Sequence, residues 1–104
     1  MIARGEVWEA DIRGVGRHPV VIAARDSALP LLGSVACILV TSRFHGHVAE
    51  VELGPEEGLD HRSAANGDNL FTLPRRALVR RQGRLGAAKI QELDGALLVA
   101  LGLD

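Results

Sequence analysis

Arg17 and His18, side by side after Gly14-Val15-Gly16 and directly before Pro19, are the residues of this chain best suited to chemistry. An arginine grips a phosphate or carboxylate through a planar fork of donors, and a histidine exchanges protons near neutral pH. The glycines free the backbone for a tight turn, and proline pushes the residue before it toward an extended conformation. His18 should therefore project from a loop at the mouth of a strand. Two further polar sets stand at or within apolar runs: Thr41, Ser42 and Arg43 after Val35 to Val40, and Asn66, Asp68 and Asn69 inside a later run. Reactive residues on loops held by buried strands are how rigid scaffolds usually present function. The residues alone also admit an ordinary hairpin with solvated charges at 14–19.

Other chemistries find little support. His45 and His47 lie two apart with no cysteine or carboxylate at a recognised ligand interval, so no metal site is expected. There is no phosphate-binding loop, dinucleotide fingerprint or nucleophile elbow, and no cofactor is implied. The one cysteine, Cys37, sits within an apolar run and reads as a small buried hydrophobe. A lone cysteine allows no disulfide within the chain, which fits a reducing, cytoplasmic setting. The apolar runs are of strand length, too short to span a membrane, and the first residues do not resemble a signal peptide.

With 104 residues the chain makes one domain, 1–104, large enough for its own core. Hydrophobic residues form 47% of it, yet Trp8, Phe44 and Phe71 are the only aromatics, so Val, Leu, Ile and Ala must build that core. The formal net charge is −1, but its distribution is uneven. No acid falls between Asp11 and Asp26, around Arg43, His45 and His47, or between Asp68 and Glu92, where five arginines and Lys89 occur. Such segregation suggests a basic face able to attract phosphate, or else a set of solvated loops.

The elements that must position these groups follow from periodicity. Glu6 to Ile12 alternates as a strand, with Val7, Glu9 and Asp11 opposite Trp8, Ala10 and Ile12. Pro19 to Ala24 is a nearly continuous β-branched run, as for a strand buried on both faces. Asp26-Ser27 could cap a short helical turn before Pro30. Val35 to Thr41 and His47 to Leu53 read as strands, and Gly54 to Arg62 as an exposed connection. Ser63 to Leu73 returns to strand, interrupted at Asn66-Gly67-Asp68-Asn69. Pro74 starts a single turn and Leu78 to Leu85 forms a last strand. From Ala87 onward Ile90, Leu93, Leu97 and Leu101 recur at helical spacing, with Gly102 placed to end the helix. Short strands followed by a terminal helix suggest an antiparallel sheet or small barrel packed with that helix.

Taken together, these segments resemble the MazF/PemK toxin family. Arg4-Gly5-Glu6-Val7-Trp8 with Asp11, a glycine loop and Pro19-Val20-Val21-Ile22 match its opening. Val40-Thr41-Ser42-Arg43 matches its threonine/serine motif after the third strand. Gly67-Asp68-Asn69 is similar to its fifth-strand aspartate segment, Arg80-Arg81-Gln82-Gly83-Arg84-Leu85 to its run into the terminal helix, and Ala96 to Leu103 to its ending. The match covers essentially the whole chain with the motifs in order.

The resemblance implies a mainly β fold with a C-terminal helix, a small, antiparallel, partly open barrel of the CcdB/PemK-like type. It implies the toxin of a type II toxin–antitoxin system, a homodimeric, sequence-specific endoribonuclease acting on single-stranded RNA without a metal. It also implies a cognate MazE-like antitoxin with an acidic disordered tail. The family's chemistry is attack of the 2′-hydroxyl on the adjacent phosphate, with key roles for an arginine just before the proline and the hydroxyl after the third strand. Thr41 and Ser42 match the latter. Before Pro19, however, this chain has His18, with Arg17 one place earlier, so the two are expected to divide the work. His18 would act as general acid or base and Arg17 as phosphate clamp. Arg13, Arg43, His45, Asn66, Asp68 and Asn69 are then expected to bind RNA, although Asn66 stands where some members carry an arginine. A non-catalytic alternative on the same fold is a gyrase-poison type that binds a protein target. The ending Gly102-Leu103-Asp104 lacks that type's Trp-Gly-Ile. An interaction module binding antitoxin alone is the other alternative.

Overall fold

The computed structural model describes residues 1–104. Six strands, β1 (Glu6–Ile12), β2 (Gly16–Ile22), β3 (Ser34–Thr41), β4 (Glu50–Leu53), β5 (Ser63–Pro74) and β6 (Leu78–Arg84), precede one helix, α1 (Ala87–Ala100). They form an antiparallel sheet in the order β4-β5-β3-β2-β1-β6, curled into a half-barrel. Val20 to Ile22 of β2 and the apolar run of β3 are rich in β-branched residues and buried on both faces, so each face seeds its own apolar cluster. One cluster gathers Val7, Val21, Ile38, Val40 and Leu53 under Leu93 and Ala96 of α1. The other gathers Ala10, Val20, Ile22, Val35, Cys37 and Leu73 under Leu29 and Ala77. The alternation of β1 holds: Val7 enters the first cluster, while Ala10, Trp8 and Ile12 belong to the second.

Several boundaries differ from the sequence expectation. Arg17 and His18 lie within β2, because Gly16, Arg17 and His18 pair with Ile12, Asp11 and Ala10. The strand at 47–53 starts only at Glu50, since His47 to Ala49 form a turn closed by a Glu50 N–H to His47 carbonyl bond of 3.0 Å. β5 is continuous: β3 advances from Ile38 to Val40 while β5 runs from Leu70 back to Ala65, so 66–69 bulges out of the ladder. Gly67 in that bulge lies under α1, where an added Cβ would meet the Ala96 carbonyl oxygen at 3.1 Å. No side chain caps the 3-10 turn at Leu29–Leu31, because Asp26 instead accepts the backbone N–H of Arg4 at 2.7 Å. Leu101 falls past the helix and is exposed, leaving Leu93 and Ala96 as the buried residues. Gly102 (φ +69°) ends α1 as expected, its N–H on Val99 and that of Leu103 on Leu98, a paired-carbonyl cap.

The segment expected to be an exposed connection is exposed over most of its length but is anchored by two buried residues. A 3-10 turn at Pro55–Glu57 buries Glu57, whose carboxylate accepts the Gly54 N–H at 2.7 Å, and Leu59 joins the first cluster. At Gly58 (φ +90°) the chain lies against the backbone of Gln82 and Gly83 so closely that a Cβ on Gly58 or Gly83 would collide with the other strand. From this crossing at β6 the chain runs to Ser63 at the head of β5, so 58–63 arches across the sheet, past Glu9 of β1, His18 and Pro19 of β2 and Thr41 of β3. Gly58→Ala should destabilise the fold by about 1–3 kcal/mol or more, combining strained backbone with the collision. Gly14→Ala, also at positive φ but with open space around it, should cost less in the same urea titration.

Candidate active site

The β2–β3 ladder runs only from Ile22–Cys37 to Val20–Leu39. It stops where Pro19, with no N–H to contribute, enters the strand. Beyond that point His18 and Pro19 pair only with β1, and Val40 and Thr41 only with β5. The splay opens a cleft of about 390 Å³ under the arch. His18, Pro19, Val40, Thr41 and Ser42 line its sheet side, Leu59, Asp60, His61 and Ser63 its arch side, with Glu9 and Gln82 at the β1–β6 edge.

The cleft thus unites His18, Thr41 and Ser42. Arg17 points to the opposite face of β2 from His18, as neighbours on an extended strand must. It is tied to the cleft through Glu9, whose Oε1 lies 3.3 Å from Arg17 Nη1 and 3.8 Å from Arg80 Nε. Thr41 Oγ1 donates to the Arg43 carbonyl at 3.3 Å, and Ser42 is exposed. The buried Gln82 Oε1 has no hydrogen-bond partner.

Asp68 and Asn69 do not enter the cleft. With Ile12, Val15, Leu70 and Phe71 they line an apolar hollow of about 410 Å³ that shares Leu39 with it. Asn66 supports the bulge, its Oδ1 accepting the Asp68 N–H at 2.9 Å. Arg13 lies in a further hollow with Arg76, which shares Ile12 and Phe71 with the previous one. The three depressions are thus neighbours, each sharing lining residues with the next. Arg43 is exposed on the loop after β3, and Phe44 has one ring face covered by Arg62, 4.9 Å from the ring centre.

Sequence reasoning missed Glu9, Asp60, His61 and Gln82. The strand pattern of β1 placed Glu9 beside Val7, a signal available without the structure. Asp60 and His61 were hidden inside a surface connection. The basic face is also partly undone, because Glu6 and Glu9 of β1 face its neighbours β2 and β6. Arg17 and Arg80 meet Glu9, and Arg81 meets Glu6 at 3.0 Å. Cys37 is a free, buried thiol, burial pushing its pKa up to about 12.

The loop carrying Arg43 and His45 is organised by Glu50, whose side chain is 2% exposed. Glu50 Oε1 accepts the N–H groups of His45 and Gly46, each at 2.8 Å, and of His47 at 3.3 Å, while Oε2 lies 3.2 Å from His45 Nδ1. Burial raises this carboxyl, but the bonds from the His45 ring and the three N–H groups outweigh it and hold the pKa below 4.5. A depressed folded-state pKa stabilises above the unfolded value, and that contribution disappears as pH falls through the folded one. The gap in urea midpoint between the wild type and Glu50→Gln should therefore stay constant at neutral pH and close as pH drops below about 4.3.

The family model for PemK-like, MazF-like toxins of type II toxin–antitoxin systems matches residues 3–101. A probable endoribonuclease MazF5 of Mycobacterium tuberculosis is 37% identical over 100 residues, covering 95% of this chain and 92% of the relative. Among solved structures, the M. tuberculosis toxin MazF-mt6 superposes with a TM-score of 0.88 at 29% identity, over 95% of this chain and 98% of its own. A mycobacterial endoribonuclease in complex with its cognate antitoxin gives 0.89 at 27% identity, over 100% and 98%. The half-barrel, the strand-end hydroxyls and these likenesses agree: the chain belongs to the PemK-like, MazF-like toxins of type II toxin–antitoxin systems.

Proposed function

We propose that this chain is a toxin that cuts single-stranded RNA at specific sequences, with no metal in the chemistry, and is silenced by a cognate antitoxin. The observation that carries this reading is the convergence of His18, Thr41 and Ser42 on one cleft formed where β2 and β3 part. In the reaction the 2′-hydroxyl attacks the adjacent phosphorus and loses its proton to His18. The bond from phosphorus to the 5′-oxygen breaks, and that oxygen takes up a proton. The products are a 2′,3′-cyclic phosphate and a 5′-hydroxyl. Thr41 and Ser42 donate hydrogen bonds to the phosphate oxygens, and Arg17 offsets the charge that builds on them. His18 and Arg17 serve different parts of the reaction because the strand turns them to opposite faces.

Single-stranded RNA is read by splaying and stacking its bases while cations follow the backbone. The neighbouring depressions, from the cleft past Asp68 and Asn69 to Arg13, suit such a strand, with Arg43 and His45 at the loop side. A homodimer and an antitoxin with an acidic tail complete the reading. Exposed Leu98, Val99, Leu101 and Leu103 offer apolar surface to the former, and arginines without carboxylate partners, such as Arg13 and Arg43, suit the latter. An RNA substrate and an antitoxin partner would both suit work in the cytoplasm.

Purified protein incubated with a long unstructured RNA and a chelator should release discrete fragments with 5′-hydroxyl ends. His18→Ala, Arg17→Ala and Thr41→Ala should each slow cleavage by about 100-fold or more. Full activity in any one variant removes that residue from the mechanism, and absence of cleavage at every pH replaces the nuclease with a binding protein.

A further inference from the structure

The chemistry above needs two proton transfers, and His18 accounts for one. The second group must reach the 5′-oxygen while His18 serves the 2′-oxygen, and in an in-line displacement these two oxygens stand on opposite sides of phosphorus. His18 and Thr41 alternate with Pro19 and Val40, so they reach the cleft from the face of the sheet away from the cluster that holds Leu59, and the second group belongs on the opposite wall. That wall is the 58–63 arch, pinned to β6 at Gly58 and to the core through Leu59.

Four side chains with titratable groups line the cleft: Glu9, His18, Asp60 and His61. Glu9 is engaged as counter-ion to Arg17 and Arg80 on the β1–β6 side. Asp60 would add negative charge beside a phosphate. Histidine is the side chain that gives and regains a proton near neutral pH. We propose that His61 is the general acid of the cleavage, donating its proton to the departing 5′-oxygen from the arch while His18 acts from the sheet. This assignment rests on the nuclease reading above. His61 is exposed and ready to meet substrate, and it takes part in hydrogen bonding through its backbone, the carbonyl accepting Ser63 Oγ at 3.0 Å. Replacing the imidazole therefore leaves the arch's own contacts in place.

The test uses two RNAs identical except that, in one, sulfur replaces the 5′-oxygen at the scissile bond. A thiolate leaves without protonation, so that RNA has no need of a general acid. His61→Ala should cleave the oxygen RNA about 100-fold more slowly than the wild type, yet cleave the sulfur RNA at the wild-type rate. His61→Gln, which keeps a hydrogen-bond donor but no exchangeable acid, should behave alike, and His18→Ala should stay slow on both. Wild-type speed of His61→Ala on the oxygen RNA, or an equal loss on both RNAs, overturns the assignment while the nuclease reading stands. A wild-type protein that cleaves neither RNA overturns both.

Discussion

The contact between Gly58 and the Gln82–Gly83 backbone is the constraint from which the site follows. Two chain segments meet there with no room for a Cβ on either, so glycine is required on both sides. The crossing fixes the arch at one end and the β5 ladder fixes it at the other. Between them Leu59 is drawn into the core, and Asp60 and His61 are held over the splayed ends of β2 and β3. Without the crossing, the same residues would belong to a surface loop with no fixed relation to His18.

A second organising element is the pair of carboxylates on β1. β1 lies between β2 and β6, so Glu9 meets Arg17 across the hairpin and Glu6 and Glu9 meet Arg81 and Arg80, which are distant in sequence. Exposed ion pairs contribute little to stability, typically well under ~1 kcal/mol. Their effect here is positional: Arg17 pairs with Asp11 on the face that carries Glu9, and the ion pair holds its guanidinium beside the cleft that Glu9 lines. Glu6 does similar work at the core's edge, accepting the Trp8 indole N–H at 3.1 Å and the Ala3 N–H at 2.8 Å.

The substrate side is built differently. Glu50 gathers three backbone N–H groups and a histidine ring into one carboxylate, giving shape to a loop with no regular structure of its own. The β5 bulge does the equivalent on the other side of Leu39, lifting Asp68 and Asn69 out of the ladder to the rim of an apolar hollow. The surfaces suited to recognition thus sit on irregular backbone held by single polar anchors, while the strand-end residues of the cleft sit on the rigid sheet.

Local patterns in the sequence determined most of the secondary structure and half of the site. Alternation revealed β1, continuous β-branched runs revealed β2 and β3, and the 3.6-residue stripe with Gly102 revealed α1, because side-chain periodicity is set by backbone geometry within each element. The types and order of Arg17, His18, Thr41 and Ser42 were likewise legible, since each is marked by a proline or by the end of an apolar run. Tertiary structure alone decided that the β2–β3 ladder stops at Val20, that Arg17 and His18 lie inside a strand, and that Glu6 and Glu9 neutralise arginines of two other strands. It alone turned an exposed connection into the arch that brings His61 to the cleft. Those outcomes depend on which segments become neighbours across the sheet, and no periodicity within one segment encodes that pairing.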